Sequence, residues 1–194
     1  MRTASVIINL IIFISTLVIV VSYFRKDGQW DVKRGLSAFR FFTVLSNVFC
    51  AISALAMAVC QLRGDVPRGV LIFKYLGTLT VTVTMFTVLF FLGPTQGYAK
   101  MLENDNFYMH LIGPLLAIVS FCFLEKVNFT LPMALLGLIP VLLYGAVYLY
   151  KVIYAPEGSR WEDFYGFSAN GKWPIMFSIM ILGTLLACIL LWLI

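Results

Sequence analysis

The chain carries one histidine, His110, in a sequence of 194 residues. A neutral imidazole can take or give a proton around neutral pH, so a lone histidine is a candidate general base or acid. It lies in Phe107-Tyr-Met-His110-Leu-Ile-Gly-Pro114, four residues before the proline. A proline there cannot donate the helical bond to the His110 carbonyl, so the imidazole is expected beside a kink and an unpaired acceptor. The second set is Thr43, Ser46, Asn47 and Cys50, whose three- and four-residue steps put them on one helix face. A hydroxyl within reach of an imidazole is the minimum arrangement for a base-activated nucleophile. Each set also has a plainer reading. Ser, Thr and Asn on a membrane helix often join neighbouring helices, and a histidine at a helix start often bonds a loop or a headgroup.

The elements that must position these residues follow from hydropathy. Of all residues 61% are hydrophobic and 12% charged, against roughly 45–50% and 25% in soluble chains. Water would reject that much apolar surface, whereas lipid accepts it. Runs of mostly apolar residues predict an all-α, polytopic membrane bundle of about six transmembrane helices, at 4–24, 36–62, 69–92, 107–124, 131–154 and 174–194. The loops are too short to fold separately, so a single integral membrane domain over 1–194 is expected. The first run is too long for a signal-peptide core and lacks a small-residue cleavage site, so it is read as a retained helix.

The net charge of +5 comes mainly from Lys and Arg in short loops, the usual membrane-protein pattern and no sign of nucleic-acid binding. Cys50, Cys60, Cys122 and Cys188 lie in apolar runs without metal or redox spacing. No second histidine and no carboxylate pair within a span accompanies His110, so no metal site is expected. There is no phosphate-cradling glycine loop and no serine elbow, and hydrolysis by a hydroxyl and an imidazole needs no cofactor. The threonines from Thr78 to Thr87 spread around span three, next to Lys74 and Tyr75, and read as packing.

Alternation of helices divides the loops into two faces. Arg63–Arg68 and the loop at 125–130 share the N-terminal face; 25–35, 93–106 and 155–173 share the other. Counting Arg25, Lys26, Lys33 and Arg34 favours the second face as cytoplasmic, while an even number of spans favours both ends inside. Spans two and four start on the second face, so Thr43 and His110 are expected near one depth. Loops on that face supply companions: Asp163 or Glu162 to orient the histidine, and an aromatic segment around Tyr165 that is either an interfacial belt or a lid.

The pairing of Phe41-Phe-Thr43-Val-Leu-Ser-Asn47 with Met109-His110-Leu-Ile-Gly-Pro114 resembles the bacterial six-helix proteins related to the androgen-induced and ADTRP-type membrane hydrolases. The likeness covers most of the chain as helix order and rests on these two motifs. It implies Thr43 as nucleophile and His110 as its base, a fatty-ester substrate from the membrane, and a bacterial cytoplasmic membrane. Asn47 and Pro114 match the bacterial pattern. Where bacterial relatives carry an acid further along the histidine's helix, this chain has Ser120, with Glu125 at the helix end.

The leading expectation is therefore a membrane-embedded lipid ester hydrolase or acyltransferase, with Asn47 or Ser46 steadying the hydroxyl or the oxyanion. A non-catalytic lipid-binding or membrane assembly protein is the alternative, with the same residues as a packing knot. A small transporter ranks third.

Overall fold

The structure is a computed structural model that describes residues 1–125, 129–168 and 171–194. Positions 126–128, counted with a loop of the N-terminal face, and 169–170, beyond Ser168, lie outside the described residues. In chain order the elements are α1 (Arg2–Tyr23), the strands β1 (Arg25–Lys26) and β2 (Gln29–Trp30), and α2 (Val32–Ala38). There follow α3 (Phe42–Arg63), α4 (Arg68–Gln96), α5 (Asp105–Glu125), α6 (Leu131–Tyr154) and α7 (Trp173–Leu193). All but α2 among these helices are long and apolar enough to cross a membrane. The protein is an all-α, multi-pass membrane protein.

The second span differs from its expected form. Instead of one helix over 36–62, the chain makes α2, breaks at residues 39–41, and restarts α3 at Phe42. The break is encoded locally. Asp31 caps α2, accepting from the Arg34 amide at 2.9 Å, and Phe41 is extended (φ −89°, ψ 133°). Thr43 is thereby the second residue of α3 rather than deep within a span. Ahead of α2, β1 and β2 form a tight hairpin whose Asp27 and Gly28 both have positive φ, as a two-residue turn demands.

Backbone contacts group the chain into two compact units, residues 1–129 with Ile194, and residues 130–193. In the first, α1, α3, α4 and α5 surround a core of Ile12, Cys50, Ala54, Val81 and Ala117. The central helix is α4, 67% buried against 28% for α1. Its threonines are turned inward, and Thr80, Thr82, Thr84 and Thr87 return their hydroxyl protons to carbonyls of the preceding turn. That satisfies them without lipid. At Gly77 the helix passes so near α3 that an added Cβ would collide with Ser53 Oγ. In the second unit α6 and α7 meet at Gly145, whose missing Cβ leaves room for Met180 and Phe177.

Three helical segments widen into a π turn just before a proline: Val88–Leu92, Tyr108–Ile112 and Tyr150–Tyr154, ahead of Pro94, Pro114 and Pro156. In a π turn each amide bonds the carbonyl five residues back, and proline has no amide proton to give. The carbonyls that lose a bond are thus Leu89, Met109 and Lys151. Each has found another donor: Tyr98 Oη at 2.7 Å, Asn47 Nδ2 at 2.9 Å and the Trp161 amide at 3.1 Å.

Candidate active site

Thr43 Oγ1 lies 3.2 Å from His110 Nε2. The two residues come from α3 and α5, and the structure brings them together in the first unit. His110 is 7% exposed, and its other ring nitrogen, Nδ1, is 2.6 Å from the Met101 carbonyl. A carbonyl only accepts, so Nδ1 carries the proton and Nε2 presents its lone pair. The Thr43 hydroxyl then donates to Nε2, the polarity of an alcohol activated by a general base.

Met101 was not among the residues singled out in the sequence, and its side-chain type gives no signal because the functional atom is a backbone oxygen. Backbone geometry puts it there. Tyr98–Met101 is a single helical turn that follows Gly97 at φ 93°. Asn104, at φ 51°, then turns the chain into α5, a conformation asparagine tolerates better than most residues. The ring was expected to be oriented by Asp163 or Glu162; at Nδ1 this backbone oxygen holds it.

Asn47 is buried one turn after Thr43. Its two amide protons go to the Thr43 carbonyl at 2.8 Å and the Met109 carbonyl at 2.9 Å. The second is the carbonyl that Pro114 leaves without a donor in the π register, in place of the His110 carbonyl expected from an α-helix. Asn47 therefore clamps the residue before His110 to the turn that carries Thr43. Gly113 makes room for it, since a Cβ there would lie 3.3 Å from Asn47 Oδ1. Ser46 Oγ sits 3.1 Å from the Thr43 carbonyl and 2.8 Å from Thr84 Oγ1, joining α3 to α4. Because Thr43 occupies the second position of α3, it stands among first-turn amides that have no acceptor within the helix.

Asp163 and Tyr165 belong to the second unit. Asp163 accepts from Tyr148 Oη (3.0 Å), the Phe167 amide (2.8 Å), and the Ser168 amide and hydroxyl (2.6 and 2.7 Å). Burial pushes its carboxyl upward, but the bonds from Ser168, Phe167 and Tyr148 outweigh burial and hold it below the ordinary value. The Tyr165 amide bonds Tyr148 Oη at 3.1 Å, and its ring meets that of Tyr148 edge-on at 5.0 Å. This segment is a hydrogen-bonded aromatic loop built on Tyr148. Among the described residues no group of three or more His, Cys, Asp or Glu could hold a metal ion.

The fold and this pairing define a class: a multi-helix membrane protein with a part-buried hydroxyl–imidazole contact at one end of a four-helix unit. In comparisons with known proteins, no family, no curated protein and no solved structure matches the chain.

Proposed function

We propose that this protein is a membrane-embedded lipid ester hydrolase or acyltransferase, with Thr43 as nucleophile and His110 as general base. The observation that carries the reading is the 3.2 Å contact between Thr43 Oγ1 and His110 Nε2, with Nδ1 tied to the Met101 carbonyl. Thr43 Oγ attacks an acyl carbonyl as His110 Nε2 takes its proton, and the imidazolium returns that proton to the departing alcohol. A water or a second alcohol, deprotonated by the same nitrogen, then releases the acyl group. Asn47 positions Thr43 through its carbonyl, and Ser46 holds that turn of α3 against Thr84 of α4. The fatty acyl ester enters from the surrounding membrane, a bacterial cytoplasmic membrane on this reading.

The purified protein in detergent is treated with a fluorophosphonate probe and with a long-chain nitrophenyl ester. The reading requires covalent labelling and turnover that both vanish in Thr43→Ala. Labelling that survives this change sinks the nucleophile assignment. A second reading, a packing knot in a non-catalytic lipid-binding protein, draws on the bond from Asn47 to the Met109 carbonyl, which links α3 to α5. It predicts that Thr43→Ala and His110→Ala lower Tm while the wild-type protein turns over no ester.

A further inference from the structure

A second polar cluster occupies the opposite end of the first unit's helices. Ser5 and Asn9 lie one turn apart on α1, Gln61 near the end of α3, and Ser120 and Glu125 at the end of α5. Glu125 Oε1 accepts three bonds, from Ser120 Oγ at 2.7 Å, Asn9 Nδ2 at 2.8 Å and Ser5 Oγ at 3.1 Å. Ser5 Oγ gives its proton to the carboxylate and accepts from Gln61 Nε2 at 3.0 Å and Asn9 Nδ2 at 3.2 Å. The carboxylate fixes the Asn9 amide, whose nitrogen must face an acceptor, and Gln61 turns its nitrogen toward Ser5 Oγ. Their oxygens face away from those bonds. Asn9 Oδ1, Gln61 Oε1 and Glu125 Oε2 are all buried without a hydrogen-bond partner among the described residues. All three belong to side chains joined through Ser5 Oγ and Glu125 Oε1 into one hydrogen-bonded cluster.

Bare buried acceptors are costly. Three of them on three helices, one belonging to a carboxylate, form a receptor for positive charge. Hard oxygens suit alkali and alkaline-earth ions, and a calcium site draws on six to eight oxygens, usually with several carboxylates. One carboxylate with two amide oxygens suits a single charge. We propose that Asn9, Gln61 and Glu125 bind a monovalent alkali cation of about sodium's size, with water completing its shell.

Lys74 limits the affinity of this site. It is fully buried on α4, with Nζ unpartnered among the described residues, and Cys50 lies within electrostatic reach of both Lys74 and Glu125. Helical side chains lean toward their helix N-terminus, so the Lys74 stem leads toward the end of the unit that holds the cluster. When protonated, Lys74 repels a bound cation, and a divalent ion twice as strongly.

The experiment uses the full chain in detergent. Tm is measured against NaCl, with N-methylglucamine chloride keeping ionic strength constant, and binding of radioactive sodium is measured directly. The expected result is saturable sodium binding and a Tm rise of about 3–6 °C at tenfold excess over Kd. Both are lost in Glu125→Gln and weakened at least about tenfold in Gln61→Met. Equal Tm in sodium, potassium and N-methylglucamine together with no bound sodium overturns the proposal and leaves water as the occupant. Sodium binding that persists unchanged in Gln61→Met overturns it too, and that variant decides the matter if Glu125→Gln fails to fold. Lys74→Met is expected to tighten sodium binding about tenfold; unchanged or weaker binding overturns the part given to Lys74. None of these readouts depends on ester turnover.

Discussion

The Thr43–His110 contact works only with the imidazole in one tautomer, and a backbone oxygen sets it. Because the Met101 carbonyl holds Nδ1–H, no carboxylate is needed to orient the ring, although a carbonyl stabilises an imidazolium less than an acid does. Under the proposed chemistry, Thr43→Ser keeps the hydroxyl on the same helix position and retains both ester turnover and probe labelling. His110→Gln keeps a polar side chain but loses the base, and turnover falls by about 10²–10⁴-fold. Burst and steady-state ester hydrolysis measure both. Another residue-scale test concerns Asp163. Its carboxyl is held below the usual value by its hydrogen bonds, so its contribution is complete above the unfolded-chain pKa. It is lost as pH falls through the lower folded pKa. The aromatic loop should therefore hold at neutral pH and loosen in acid. The emission difference between wild type and Trp161→Phe should show this, and in Asp163→Asn that difference should already be altered at neutral pH.

One device at the level of elements recurs at three places. A π turn ends in Gly-Pro or Ala-Pro, and the carbonyl five residues before the proline bonds a group from elsewhere in its unit. At Pro94 the donor is the hydroxyl of Tyr98, whose ring packs where a Cβ on Gly93 would stand. At Pro114 it is Asn47, and there the device faces the candidate site. Asn47→Leu leaves the buried Met109 carbonyl without a donor, at a cost of about 1–3 kcal/mol, so Tm and turnover should fall together. Pro114→Ala returns an amide proton, lets the turn tighten toward an α-helix and swings His110 away from Thr43. The expected result is at least about tenfold lower turnover with little change in Tm. The double variant Asn47→Leu/Pro114→Ala should be more stable than Asn47→Leu alone, because the new amide can reach the bare carbonyl. Equal Tm for the two would sink the account of the π turn.

Across the first unit, α3 joins two polar ends. Thr43 and Gln61 are separated along it by about 27 Å at the helical rise, nearly the thickness of a bilayer core. The apolar cluster of Ile12, Cys50, Ala54, Val81 and Ala117 fills the space between, so the proposed ester site and cation site are insulated from each other except through helix packing. The closest packing is at Gly77, where an added methyl meets Ser53 and the Cys50 backbone. Gly77→Ala should destabilise the unit by about 1–3 kcal/mol, read as a lower Tm. Because the change drives α3 and α4 apart, it should also weaken the Ser46–Thr84 bond and reduce ester turnover.

The membrane class and the approximate spans were legible in the chain alone, because a bilayer selects on length and hydropathy, which are sums over a run of residues. The sequence also marked Thr43, Asn47, His110 and Pro114, since polar groups are costly in lipid wherever the helices happen to pack. What it could not contain was where helices break, which backbone atoms serve as partners, and how the polar groups at the other end of the unit meet. The split of the second span depends on an Asp31 cap and an extended Phe41, which the continuous apolar run conceals. The orienting Met101 carbonyl has no side-chain signature. Glu125 reads as a loop residue at a helix end until α1 and α3 bring Ser5, Asn9 and Gln61 against it. Tertiary structure decided these points because a hydrogen bond depends on where two groups point, and residues far apart in the chain acquire that relation only when their helices pack.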